Sequence, residues 1–213
     1  PVMAAPPEGT YDHEEWLYGY EKRQAEDVLA TAHAQHNFPY TSLRLPMVNS
    51  ERDSFNRLYG YVLRVQDGGP ILVPDTPNCP VRNVYAGDVV EAILRLLESG
   101  QGKGRAYNIS QDETLSLHDF LALLADVMNT TVDVEMVERK VLEIHGFLPD
   151  CSPFSEAWMS ELDNTRSKAE FGMAYTPLRT YLEKIVAYLA INPPAVPTSY
   201  RRRHAEKNLI PTV

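Results

Sequence analysis

The feature that most restricts this chain is an alternation of helix and strand signals between about residues 14 and 110. Glu14–His36 carries Trp16, Leu17, Ala25, Val28, Leu29 and Ala32 at near-helical spacing. It stops at Asn37-Phe38-Pro39, because proline cannot continue the hydrogen-bond ladder. Tyr40–Leu45 then reads as a strand closed by Pro46. Phe55–Val65 reads as a helix with Phe55, Leu58, Tyr59, Val62 and Leu63 inward. Ile71–Val73 and Val81–Tyr85 read as short strands, and Asp88 is placed to cap a helix over Val89–Glu98. Ala106–Ile109 is the next strand, after the connector Gly100–Gly104. Strands alternating with helices predict an α/β fold around a parallel sheet.

Beyond residue 110 the pattern changes. Ser116 opens an apolar helix, Leu117–Met128, with Asp119 in the capping-box position. Val132–Val137 alternates as a half-buried strand does. Arg139–Glu161 reads as one helix and a long loop through Pro149 and Pro153. Asp163 or Asn164 caps a short helix that ends at Gly172, a natural left-handed stop. Thr176-Pro177 starts a last helix, Leu178–Ala190. Pro193, Pro194 and Pro197 end regular structure, and the tail with Arg201, Arg202 and Arg203 reads as loosely held and solvated.

Charge narrows the function classes. The 213 residues hold 20 Lys and Arg against 29 Asp and Glu, a formal charge of −9. No basic face for nucleic acid is expected from that balance. No run reaches the length of a membrane span, and Pro1–Pro7 has no signal-peptide pattern. Cys79 and Cys151 stand alone, which points to structural thiols and a cytoplasmic setting. The triplets Asn108-Ile109-Ser110 and Asn129-Thr130-Thr131 then read as incidental glycosylation patterns.

Chemistry is concentrated in Tyr18-Gly19-Tyr20-Glu21-Lys22. Positions i and i+4 share a helix face, so the phenol of Tyr18 and the ammonium of Lys22 can meet over one pocket. A nearby cation favours the phenolate, and such a tyrosine can exchange a proton with a substrate hydroxyl or carbonyl. In isolation the same pair is an ordinary aromatic–lysine neighbour pair on an exposed helix.

The context adds a resemblance. Tyr18, Gly19, Lys22 and Glu26 fit the run Y-G-x-S-K-x-x-x-E, with Glu21 at the serine position. Leu43, Arg44, Pro46 and Val48 fit L-R-x-P-x-V-x-G, with Ser50 for glycine. Arg82, Tyr85, Asp88, Val89 and Ala92 fit R-x-x-V-x-x-D-V-A-x-A, with Tyr85 at the valine position. Gly104–Ile109 with Thr114-Leu115-Ser116, Asp163–Gly172 with Phe171 at a leucine position, and Thr176-Pro177-Leu178 follow in order. Over roughly residues 16–190 the chain thus resembles the extended short-chain dehydrogenase/reductase family of the NAD-dependent epimerase/dehydratase type.

The resemblance implies the C-terminal part of a doubly wound Rossmann-type sheet with a smaller mixed α/β substrate lobe. Residues 1–50 and 80–110 would belong to the sheet, 51–79 and 111–190 to the lobe, and 191–213 to a tail. It implies NAD or NADP as cofactor, Tyr18 as acid/base, and Lys22 as the residue that orients the ribose. Leu45, Pro46 and Met47 would approach the nicotinamide. Met47 would also face the substrate, at a position where nucleotide-sugar members commonly carry Asn. Arg82 matches a position that contacts a substrate pyrophosphate in those members. A small-molecule substrate and a homodimer through the tyrosine helix are expected.

Two family parts are missing from the sequence. No G-x-G-x-x-G is present; Gly100–Gly104 follows a helix rather than a strand and reads as a flexible connector. The catalytic Ser or Thr lies about two dozen residues before the tyrosine in the family, and Thr10 is only eight residues upstream. The chain thus resembles the C-terminal two-thirds of such an enzyme. A non-catalytic binding or scaffold protein of the same fold is the competing reading. A hydrolase is disfavoured by the lack of a G-x-S-x-G elbow. His33 and His36 lack a third ligand and read as solvated rather than metal-binding.

Overall fold

A computed structural model describes residues 4–9, 11–76, 79–155 and 161–209. Thr10, residues 156–160 of the long loop and residues 210–213 of the tail lie outside the described residues. The chain begins with a long helix, α1 (Tyr11–His36), then β1 (Thr41–Arg44) and β2 (Met47–Asn49). Next come α2 (Arg57–Gln66), β3 (Ile71–Pro74), β4 (Asn83–Tyr85), α3 (Ala86–Ser99) and β5 (Arg105–Asn108). The remainder is α4 (Leu117–Val127), β6 (Val134–Val137), α5 (Arg139–Ile144), α6 (Thr165–Phe171) and α7 (Leu178–Ile191). A 3-10 turn (Thr198–Tyr200) and α8 (Arg203–Lys207) follow.

The strands pair in three parallel ladders, β1 with β5, β2 with β4 and β3 with β6. The expected α/β class with parallel strands is therefore found. The strand β2 was not foreseen. Pro46 interrupts the ladder after β1, and the chain resumes pairing with a new partner, Met47 opposite Asn83.

Strand alternation puts helices on both faces of the β1–β5 ladder. Ser42 and Arg44 point to α1, where both donate to the Glu26 carboxylate, at 2.7 and 3.0 Å. Leu43 points the other way, against a core that includes Ala92 and Leu96 of α3, Tyr107 and Ile109. A larger core joins α2, α4 and α7 through Tyr61, Val62, Phe120, Leu124, Tyr181 and Ile185. A third, small core gathers Leu72, Leu142, Phe147 and Cys151.

Several sequence signals act as expected. The Ser116 hydroxyl accepts from the Asp119 N–H at 3.0 Å and donates to its carboxylate at 2.7 Å, closing the capping box. Gly172 ends α6 at φ 68°. Asp163 accepts from the Thr165 N–H at 2.9 Å, while the Asn164 amide reaches back to Ser110 and Asp112.

Other expectations are corrected. Phe55 is 73% exposed, because α2 starts only at Arg57 and Phe55 lies in the preceding loop. Helix α3 begins at Ala86, so Asp88 sits inside its first turn and does not cap it. The tail is packed rather than loose. Arg203 is 5% exposed and donates to Asp67 and to the carbonyls of Gly69 and Pro70. Arg202 donates to the carbonyls of His145 and Gly146. The connector Gly100–Gly104 is a close-packed turn. A Cβ on Gly104 would lie 2.4 Å from His33 Nε2, and one on Gly102 would lie 2.9 Å from Tyr107 Cε2.

Candidate active site

The ends of β2 and β4, the loop into α2 and the start of α1 enclose a cleft of about 740 Å³. Tyr18, Leu45, Pro46, Met47, Val48, Arg57, Asn83 and Phe154 are among its walls. Four of the six residues singled out in the sequence, Tyr18, Leu45, Pro46 and Met47, thus meet in one place. Local geometry explains why. Pro46 turns the chain between two strands, so Leu45–Met47 crosses the strand ends beside the early turns of α1.

Lys22 is one helical turn beyond Tyr18, and its Nζ lies 5.1 Å from the centroid of the Tyr18 ring. The i,i+4 spacing has brought phenol and ammonium together. Tyr18 is 62% exposed, with its ring open to solvent at the cleft mouth. Helix α1 is held to the sheet by Glu26. Its carboxyl lies below the usual carboxylate range because Arg44 donates to it, against a smaller opposing effect of burial.

Arg82 is not brought to this cleft. Val81 and Asn83 line it, and the residue between them faces the other way, as strand alternation requires. The Arg82 guanidinium donates to Thr114 Oγ1 at 2.9 Å, the Leu162 carbonyl at 2.6 Å and the Asp112 carbonyl at 3.3 Å. It ties the segment before α4 to the segment before α6.

The structure also places residues that the sequence did not single out. Asn83 and Asn49 are each 1% exposed. Both asparagine amides interact with the buried Tyr181 hydroxyl, and Arg57 Nε faces Asp53 at 3.8 Å. Asn83 and Arg57 line the cleft. The only signal for Asn83 is its pairing with Met47 across the β2–β4 ladder, which is a tertiary fact. His33, at the far end of α1, donates from Nδ1 to the Phe38 carbonyl at 2.9 Å. Among the described residues no group of three His, Cys, Asp or Glu is placed to hold a metal ion. No helix among them is long and apolar enough to cross a membrane.

A model of the NAD dependent epimerase/dehydratase family matches residues 4–110, half of the chain. The chain belongs to the NAD dependent epimerase/dehydratase family. Structural neighbours agree on the fold. The UDP-glucose 4-epimerase of Thermotoga maritima, solved with UDP-glucose, is 19% identical with a TM-score of 0.64, over 83% of this chain. The dTDP-glucose 4,6-dehydratase of Streptomyces venezuelae, a double mutant solved with NAD, is 18% identical at TM-score 0.63 over 82% of this chain. The UDP-glucuronic acid 4-epimerase of Bacillus cereus, solved with UDP-glucuronic acid and NAD, is 17% identical at 0.62 over 89%. The matched regions cover 54%, 51% and 57% of those three chains, so this chain spans about half their length. No curated protein matches the sequence.

As a member of the epimerase/dehydratase family the chain can be tested for fit to NAD on its own donor set. Tyr18 supplies a phenol at the cleft mouth, the Lys22 ammonium lies over its ring outside the cleft lining, and Leu45–Val48 supplies a largely apolar wall. That set fits a nicotinamide riboside. The turn Gly100–Gly104 does not fit the pyrophosphate, since His33 and Tyr107 already fill the space above Gly104 and Gly102.

Proposed function

We propose that this chain carries the catalytic tyrosine and the substrate-side wall of an NAD(P)-dependent epimerase, dehydratase or reductase acting on a hydroxyl or carbonyl carbon of a small molecule. The single observation that carries this reading is the placement of Tyr18 and Leu45–Met47 around one cleft, with the Lys22 ammonium over the Tyr18 ring. Membership of the family supports NAD or NADP as the cofactor. Residues 51–79 and 111–190 are proposed as the part that receives the substrate.

When bound, the nicotinamide supplies or accepts hydride at its C4 carbon. Tyr18 moves the matching proton at the substrate oxygen, as the acid when a carbonyl is reduced and as the base when an alcohol is oxidised. Lys22 would hold the ribose hydroxyls of the cofactor, and its ammonium keeps a positive charge beside the Tyr18 ring. The apolar wall of Leu45, Pro46 and Met47 would keep water from a nicotinamide held in the cleft.

A homodimer is proposed through α1. Leu17, Tyr20 and Val28 are 39%, 39% and 68% exposed and follow one another along a single face of that helix. A twofold partner would bury that stripe.

The test is turnover in a protein that includes this chain. Tyr18→Phe should lower kcat by about 10²–10⁴ while nicotinamide binding is kept. Lys22→Met should weaken nicotinamide binding as well. Unchanged kcat in Tyr18→Phe overturns the assignment, and absence of any nicotinamide binding would favour the scaffold reading instead.

A further inference from the structure

Phe154 holds a backbone conformation that its side chain disfavours. Its φ is 70°. Among the described residues, the other non-glycine positions with positive φ are Asn37, Asn56 and Asn129, and asparagine tolerates that region far better than a bulky residue does. Strain of this kind persists only where the surroundings impose it, and it gathers at ligand-facing positions.

The surroundings here are explicit. The Tyr61 hydroxyl donates to the Pro153 carbonyl at 2.5 Å, immediately before the strained residue. Immediately after it, the Ser155 N–H and hydroxyl both donate to the Ser152 carbonyl, at 3.3 and 2.5 Å, and Arg139 of α5 donates to the Ser155 carbonyl. The Phe154 ring packs edge-on against Phe120 of α4, with centroids 5.7 Å apart and planes at 82°, and tilted against Tyr61 of α2 at 6.0 Å. Phe154 is thus fixed in backbone and ring, 6% exposed, and it lines the cleft of Tyr18.

We propose that Phe154 is a specificity-determining residue that, with Met47 and Val81, forms an apolar platform for a flat apolar ring of the substrate, so that the substrate is an aryl- or cycloalkyl-bearing alcohol or carbonyl compound rather than a nucleotide sugar. The proposal rests on reading this cleft as the place of the substrate and names what it takes there.

The rest of the lining favours that class. Val81 is 4% exposed and shares the cleft wall with Met47. Among the described residues of the polar side, Arg52 and Arg57 are matched by Glu15 and Asp53, so the formal charges cancel. Arg57 Nε faces Asp53 at 3.8 Å, and the Asn83 amide is engaged with the Tyr181 hydroxyl. A nucleoside diphosphate brings several negative charges, and a lining with no net positive charge does little to offset their desolvation. An apolar ring needs no such partner. It gains by burying area against Phe154, and an aromatic one adds the edge-on or offset contact that aromatic pairs prefer. The cleft volume of about 740 Å³ lies within the range of small-molecule sites.

The 213-residue chain labelled with para-fluorophenylalanine carries one fluorine probe at each of its six phenylalanines. Phe154→Tyr, which keeps a ring, assigns the Phe154 signal by its loss from the fluorine NMR spectrum. The labelled parent is titrated with acetophenone and, separately, with UDP-glucose. Acetophenone is expected to move the Phe154 signal saturably, and UDP-glucose to leave it in place. Phe154→Leu should weaken acetophenone binding by about three- to tenfold, followed on the signals of the probe, while Phe154→Tyr should keep most of it. A Phe154 signal that does not respond to acetophenone overturns the proposal. So does UDP-glucose binding that moves this signal more tightly than acetophenone does, or Phe154→Leu binding acetophenone as tightly as the parent. The titration contains no nicotinamide and measures no turnover, so its outcome is separate from that of the Tyr18 test.

Discussion

Asp88 holds Thr176 at two points. Its carboxylate accepts from the Thr176 N–H at 3.0 Å and from the Thr176 hydroxyl at 2.7 Å. Two sequence runs almost ninety positions apart are thereby joined, and the entry to α7 is fixed against the first turn of α3. Asp88 is 6% exposed, so neither bond competes freely with water. Asp88→Ala is expected to cost about 2–4 kcal/mol in urea denaturation, because it leaves buried donors unpaired. Thr176→Val, which removes one of the two bonds, should cost less than half of that.

The tail is clamped by Arg64 and Glu206, paired at 2.6 Å with both side chains essentially inaccessible. Removing one partner of such a pair strands a buried charge. Glu206→Gln or Arg64→Met alone should destabilise by about 3–5 kcal/mol, whereas the double change to Met and Leu should recover most of that loss. Thermal or urea unfolding of the three variants decides it. Additive losses in the double variant would show that the two groups act separately.

Acid should loosen the same tail. Burial opposes the charge on Asp67, but donors from Arg203, the Gly69 N–H, Tyr200 and Lys207 outweigh it and hold the carboxyl far below the usual range. A carboxyl lowered in the folded state stabilises fully above its unfolded value near 3.9 and loses that contribution as pH falls below it. Stability is therefore expected to be flat for this group above about pH 5 and to decline below about pH 4. Asp67→Asn should be less stable at pH 7 and should converge with the parent at low pH. Parallel curves for the two proteins would remove Asp67 from the acid response.

The two thiols should differ in reactivity. Burial, with the charge of Glu206 adding to it, pushes the Cys151 thiol up to about 12. Thiolate is the reactive form, and Cys151 is fully enclosed while Cys79 is partly exposed. Alkylation of the native protein at pH 8 should label Cys79 and spare Cys151 until denaturant is added. Labelling of Cys151 at the rate of Cys79 would mean that the small core around Leu72 and Phe147 opens freely.

The helices were legible wherever a local device marks them. Ser116 with Asp119, Gly172 and the proline after His36 all act within one or two turns of the chain, so their signals need no partner. The short strands were harder. Met47–Asn49 has only three residues, and a strand of that length is defined by its neighbour rather than by its own pattern. The tail failed for a related reason. Three consecutive arginines read as solvated until Asp67, from a distant segment, is seen to join Glu206 of the same helix in enclosing one of them.

By itself the sequence determined the alternating α/β order, the Tyr18–Lys22 face and the family, because these depend on spacing along one element or on ordered local runs. Only the tertiary structure decided which residues share the cleft. Pairing of β2 with β4 set Asn83 beside Met47 and turned Arg82 to the opposite side, and no local pattern carries that information, since the facing of a strand depends on the register of another strand far away in the chain.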